Sequence, residues 1–312
     1  MAISVGGAIG AGFNLVARRP MAVFAWGLLV NVGVFVLVAL MIGVVGMSMF
    51  GAFAHYTPGS PPSEAEAMQM LNAIWPIFLV LMVGSLFINA VVQAAVIRSV
   101  LRPEDRGFAS IRIGVEEGVM VLLYLVYFLF FILAYIAFFI VVIACGILSK
   151  AVGGFLGGTL AFLITTASVF GLFWIGTRFA LAGPMSFADR RVRFFAAWEL
   201  TRGEGWRLYG LAWLIFLIAL GMFIAYYIVS TIISLVVLGA GAVSLGALAG
   251  APGSAQNPAA LMAMWPVLLI WFLFTLALGS AFTGLISAVA QAPWAEAYRQ
   301  LKGSPDVAAT FS

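Results

Sequence analysis

The chain has 312 residues, 64% of them hydrophobic and only 8% charged, with a net charge of +4 and a mean hydropathy of +1.17. A soluble domain carries about 25% charged and about 45–50% apolar residues. This composition therefore predicts a polytopic membrane protein, a single all-α integral membrane domain over 1–312, and leaves little chain for a soluble catalytic domain.

The first predicted element precedes any span. Val5, Ile9, Phe13 and Val16 recur at helical spacing on one face of a stretch too polar to cross a bilayer, which reads as a helix lying in the membrane interface. Crossing about 30 Å of hydrocarbon takes about 20 mostly apolar residues, and Met21 to Phe50 is the first such segment. Export signals have apolar cores of about 7–15 residues, so this longer run is expected to stay in the membrane despite Ala52-Phe53-Ala54, which imitates a cleavage site. A short loop with His55, Glu64 and Glu66 leads to the second span, Ala73 to Ile97.

A basic connection with Arg98, Arg102, Arg106 and Arg112 follows, and Phe108, Ile111 and Val115 in it suggest a second interfacial helix with Arg112 and Glu116 paired four residues apart. The third and fourth spans are Val119 to Leu148 and Phe155 to Ala182, joined by a turn that holds Lys150. Arg191 to Gly205, with Phe194, Phe195 and Trp198 among its arginines, is the third interfacial stretch. The fifth span runs from Leu208 to about Gly239, and the small, neutral region up to Ala260 blurs its end. Met264 to Ala292 is the sixth. None of the six contains Asp, Glu or Lys, and none alternates as a barrel strand would.

Basic residues orient the chain, because cytoplasmic loops retain Lys and Arg. Alternate connections place 14 of the 15 on one side and leave Lys150 alone on the other, which puts both termini in the cytoplasm. With the nine acidic residues of that face the net charge is about +5, the usual condition opposite anionic lipid, and nucleic acid is not an expected partner. The single cysteine, Cys145, excludes intrachain disulfides and reads as a small core residue.

Each even-numbered span ends in an arginine followed by a proline and an aspartate: Arg98, Pro103, Asp105, then Arg178, Pro184, Asp189, then Arg299, Pro305, Asp306. The second and sixth spans both open on Trp-Pro, at Trp75-Pro76 and Trp265-Pro266, where proline suits a first helical turn. Together these suggest one unit, an interfacial helix plus a transmembrane hairpin, used three times over 2–105, 106–189 and 190–306. Convergent boundary signals are the alternative source of the pattern.

Thr177-Arg178-Phe179-Ala180-Leu181-Ala182-Gly183-Pro184, then Ala197-Trp198-Glu199-Leu200-Thr201-Arg202-Gly203, and a last span closed by Ala295-Glu296-Ala297-Tyr298-Arg299-Gln300-Leu301 form a moderately specific pattern. The chain resembles the membrane domain fused to some bacterial glycerophosphodiester phosphodiesterases and its stand-alone relatives. The resemblance implies the six-span layout and a bacterial membrane. In the fused proteins the chemistry belongs to a separate domain with His, Glu and Asp around a divalent metal, and that domain has no counterpart here, so phosphodiesterase activity is not carried over.

The residues themselves offer no nucleophile with a base at membrane depth and no metal-ligand pair such as HExxH. Gly7-Ala8-Ile9-Gly10-Ala11-Gly12 follows no strand and precedes no lysine, so it is not a phosphate cradle. No cofactor, metal or catalytic residue is expected. Two candidate sites remain. Asn89, Gln93 and Gln291 would form a polar cavity toward the inner leaflet, or else tie helices together. Arg98, Arg178 and Arg299 would hold an anionic headgroup or a partner's carboxylate, or else pair with Glu116, Glu199 or Glu296. Membrane lipids, and a membrane-protein partner, are the expected partners. The expected function is a non-enzymatic inner-membrane scaffold or lipid-interacting accessory, with a carrier or pore for a lipid-like or small uncharged solute as its rival.

Overall fold

Chain breakers and small residues divide the apolar sequence into nine helices among the residues that the computed structural model describes, 3–53, 64–105, 107–249 and 258–303. They are α1 (Val5–Arg18), α2 (Pro20–Phe53), α3 (Glu64–Leu101), α4 (Val115–Val152), α5 (Gly154–Phe179), α6 (Ala182–Asp189), α7 (Ala196–Leu200), α8 (Gly205–Ala249) and α9 (Pro258–Lys302). No strand occurs among the described residues. Six helices are long and apolar enough to cross a membrane: α2, α3, α4, α8 and α9, and α5 continuing into α6. This is a multi-pass membrane protein. Its outward faces carry Leu133, Ile140, Phe162, Leu217 and Ile228, all more than half exposed, a surface suited to hydrocarbon.

The helix ends follow from local chemistry. Pro20 stands at the first position of α2, where its missing N–H costs no bond. Gly153 and Gly154, with φ of 71° and 58°, make the turn between α4 and α5 in a backbone region that a side chain would strain. Their hairpin closes so tightly that a Cβ on Gly157 would overlap the Ser149 carbonyl. Arg190, at φ 52°, ends α6, and the Ser186 carbonyl and hydroxyl accept from the Arg191 and Arg193 amides.

Three sequence expectations differ in detail. The first interfacial stretch is the 14-residue helix α1, but the second is only a 3-10 turn over Phe108–Ser110 and the third holds the five-residue α7. In the second, Ala109 and Ser110 take φ of 50° and 53°, which no α-helix accommodates; Arg112 accordingly pairs with Asp105, not Glu116. Pro76 and Pro266 lie inside continuous helices rather than at first turns, because α3 and α9 extend outward to Glu64 and Pro258. The fifth span continues as helix to Ala249. His55, Arg106, Pro305 and Asp306 lie outside the described residues.

Contacts divide the chain into two units whose boundaries cut across the expected repeats. One comprises 19–92 and 217–287. Its packing is set by small residues: a Cβ on Gly27 would overlap the Ser280 carbonyl, and one on Gly284 the Val23 carbonyl, so α2 and α9 meet backbone to backbone. Asn31 Nδ2 donates to Thr283 Oγ1 at 3.1 Å across the same seam, and Tyr226 stacks on Phe282 at 4.2 Å. The other unit comprises 1–18, 93–216 and 288–312. There α1 lies on α9, with Gly12 against Val289 and the Ser4 amide donating to Gln300 Oε1 at 2.8 Å. Val96, Ile97, Met120, Leu123, Leu181, Phe187, Leu208 and Leu211 form its core. Every candidate residue except Asn89 belongs to this second unit.

Candidate functional site

The three arginines have unlike surroundings. Arg98 ends the apolar part of α3 and is 2% exposed. Its guanidinium donates to the Ser110 carbonyl at 2.6 Å, to Glu116 at 2.9 Å and to Glu117, with the Phe187 ring 5.4 Å away. Glu116 also accepts from Arg102 and Arg190. Both glutamates stand in the first turn of α4, where the helix dipole favours a carboxylate. The network thus joins the end of α3, the turn at Ser110, the start of α4 and the end of α6. All the charge at Arg98 is answered from within the chain.

Arg299 is half exposed and forms an ion pair with Glu296 at 2.7 Å, one turn earlier on α9. Arg178 differs from both. It is 9% exposed, and its guanidinium lies 3.9 Å from the Trp198 ring centroid and 5.5 Å from that of Trp174. Nε donates to Thr201 Oγ1 at 3.0 Å and Nη2 to the Trp198 carbonyl at 2.8 Å. Glu199, its expected partner, forms no ion pair with it. The three guanidinium groups share no partner, so the sequence's equivalence of position is not an equivalence of environment.

The polar residues divide as well. Gln93 Nε2 donates to Gln291 Oε1 at 2.8 Å, in space that Gly183 leaves open beside them. Asn89 is exposed and donates to the Ser85 carbonyl of its own helix. Gln93 and Gln291 therefore come together as a bonded pair, and Asn89 bonds elsewhere.

Sequence reasoning missed an apolar cavity of about 780 Å³ between α4, α5, α8 and α9. Phe128, Phe131, Phe138, Phe173, Phe216 and Trp294 supply much of its wall. Phe173, Gly176 and Thr177 line it from α5 at helical spacing, with Ala180 just past that helix, and Trp174 and Arg178 stand on a different face. The signal was present: 124–139 is a run of Phe and Tyr denser than lipid anchoring needs. Tyr127 donates to the Phe179 carbonyl at 2.6 Å, and Phe179 stacks on Phe194 at 4.4 Å.

Among the described residues, no three His, Cys, Asp or Glu side chains converge as metal ligands. Comparisons with family models, curated proteins and solved structures find no match to this chain.

Proposed function

We propose that the protein is a non-enzymatic, lipid-interacting accessory of the bacterial inner membrane, with both termini cytoplasmic, related to the membrane domain of glycerophosphodiester phosphodiesterases. The observation that carries the lipid reading is the cavity. Its volume falls within the about 300–1,000 Å³ of small-molecule sites, its wall is apolar and aromatic, and the helices that form it are spans. A hydrocarbon chain is the ligand that such a wall desolvates without leaving polar groups unpaired. The polar-solute carrier has less support, because Gln93 and Gln291 spend their amides on one another and Asn89 bonds its own helix. The family relation rests on the Thr177–Leu301 motifs, and the orientation on the 14 basic residues of one face.

The test is native mass spectrometry of the protein released gently from its own membrane. Gly176 faces the cavity and has open space around it, so Gly176→Phe fills the volume without a backbone clash. The wild-type protein is expected to retain a lipid in defined ratio and the folded variant to lose it. Equal lipid retention by both would sink the reading.

A further inference from the structure

The geometry points to a phosphate-binding site for an anionic lipid headgroup, built from Arg178 and Arg202 and distinct from the cavity. Arg178 is a nearly buried cation with no carboxylate partner among the described residues. Arg202 follows Thr201, the residue that accepts from Arg178 Nε, and is exposed, of the same sign and itself without an ion pair among the described residues. Two cations held next to one another in this way, with no acid between them, favour an anion from outside the chain.

Donor accounting gives the same result. A guanidinium carries five N–H groups, and Arg178 directs Nε and Nη2 to acceptors within the fold. Among the described residues Nη1 has no hydrogen-bond partner, and it is not enclosed. That edge therefore opens outward. Thr201 and the Trp198 carbonyl hold the other edge, and the Trp198 ring lies against the guanidinium plane, so the group is oriented before any ligand arrives. A fixed guanidinium edge matches a phosphate, whose oxygens accept two parallel N–H bonds.

The bilayer is the source that fits. Phe195 and Trp206, on either side of Arg202 in the chain, are 76% and 77% exposed, and aromatic side chains exposed beside arginines belong at headgroup level. Arg98 and Arg299 lack the same vacancy because Glu116, Glu117 and Glu296 already satisfy them.

This inference rests on the lipid reading for its source of phosphate, and the two fail separately. The protein would be placed in nanodiscs of equal parts phosphatidylglycerol and phosphatidylcholine, and the lipids retained after release identified by native mass spectrometry. The wild-type protein is expected to retain phosphatidylglycerol preferentially. Arg178→Gln and Arg202→Gln should each reduce that preference about tenfold, and Arg207→Gln, whose arginine pairs with Glu204, should leave it unchanged. The Arg202 side chain makes no hydrogen bond among the described residues, so its variant keeps the test open if Arg178→Gln does not fold. Gly176→Phe should abolish chain binding in the cavity and keep the headgroup preference. A preference that survives Arg202→Gln, or one erased by inorganic phosphate at millimolar concentration, would overturn the proposal, the latter by showing a free-anion site.

Discussion

Arg98 and Glu117 are each 2% exposed and joined by a hydrogen bond, one at the end of α3 and the other in the first turn of α4. The junction of α3 and α4 depends on this pair and on Glu116 beside it. Removing one partner of a buried ion pair typically costs about 3–5 kcal/mol, because the other charge is left uncompensated. Arg98→Met is therefore expected to lower thermal stability in detergent sharply. Arg98→Met combined with Glu117→Met should recover part of the loss, since one stranded carboxylate is then gone. A double variant no more stable than Arg98→Met alone would contradict the coupling.

Backbone contact across α2 and α9 is the second point of test. A Cβ at Gly27 has no room beside the Ser280 carbonyl, whereas one at Gly171 meets nothing within 4 Å. Gly27→Ala should cost about 1–3 kcal/mol through forced helix separation. Gly171→Ala should be neutral or slightly stabilising, because alanine is the better helix former. Thermal unfolding of the two variants side by side checks the contrast.

The Gln93–Gln291 bond predicts a small effect with a distinctive sign. Interhelical side-chain hydrogen bonds in membranes average about 0.6 kcal/mol. Gln93→Leu and Gln291→Leu should each destabilise slightly, the double variant should cost less than their sum, and Asn89→Leu should be close to silent. A double-mutant cycle in detergent unfolding measures this. A large loss from Asn89→Leu would instead restore that residue to a shared polar site.

Orientation is open to labelling. With Cys145 replaced by Ser, a cysteine at Arg191 and one at Lys150, both exposed positions, should react with a membrane-impermeant thiol reagent from opposite sides. In intact cells only the Lys150→Cys variant should label. Labelling of Arg191→Cys in intact cells would reverse the proposed topology.

Hydropathy and charge alone were enough to read the all-α class and six membrane-crossing helices, because each span must satisfy its own backbone and the cost of burying charge clears Asp, Glu and Lys from it. The same local rules marked Arg98, Arg178 and Arg299 as span-end residues, and they could go no further. Which arginine is answered by an acid depends on loop geometry: Ala109 and Ser110 turn the chain so that Glu116 and Glu117 reach Arg98, and Thr201 and Trp198 fold back on Arg178 where Glu199 does not. Helical periodicity likewise could not show that Phe128, Phe173, Phe216 and Trp294, from four different helices, line one volume. Sequence alone determined the layers of this protein, since those follow from transfer energies summed along a segment; tertiary structure decided its sites, since a cavity and an unanswered charge exist only between segments.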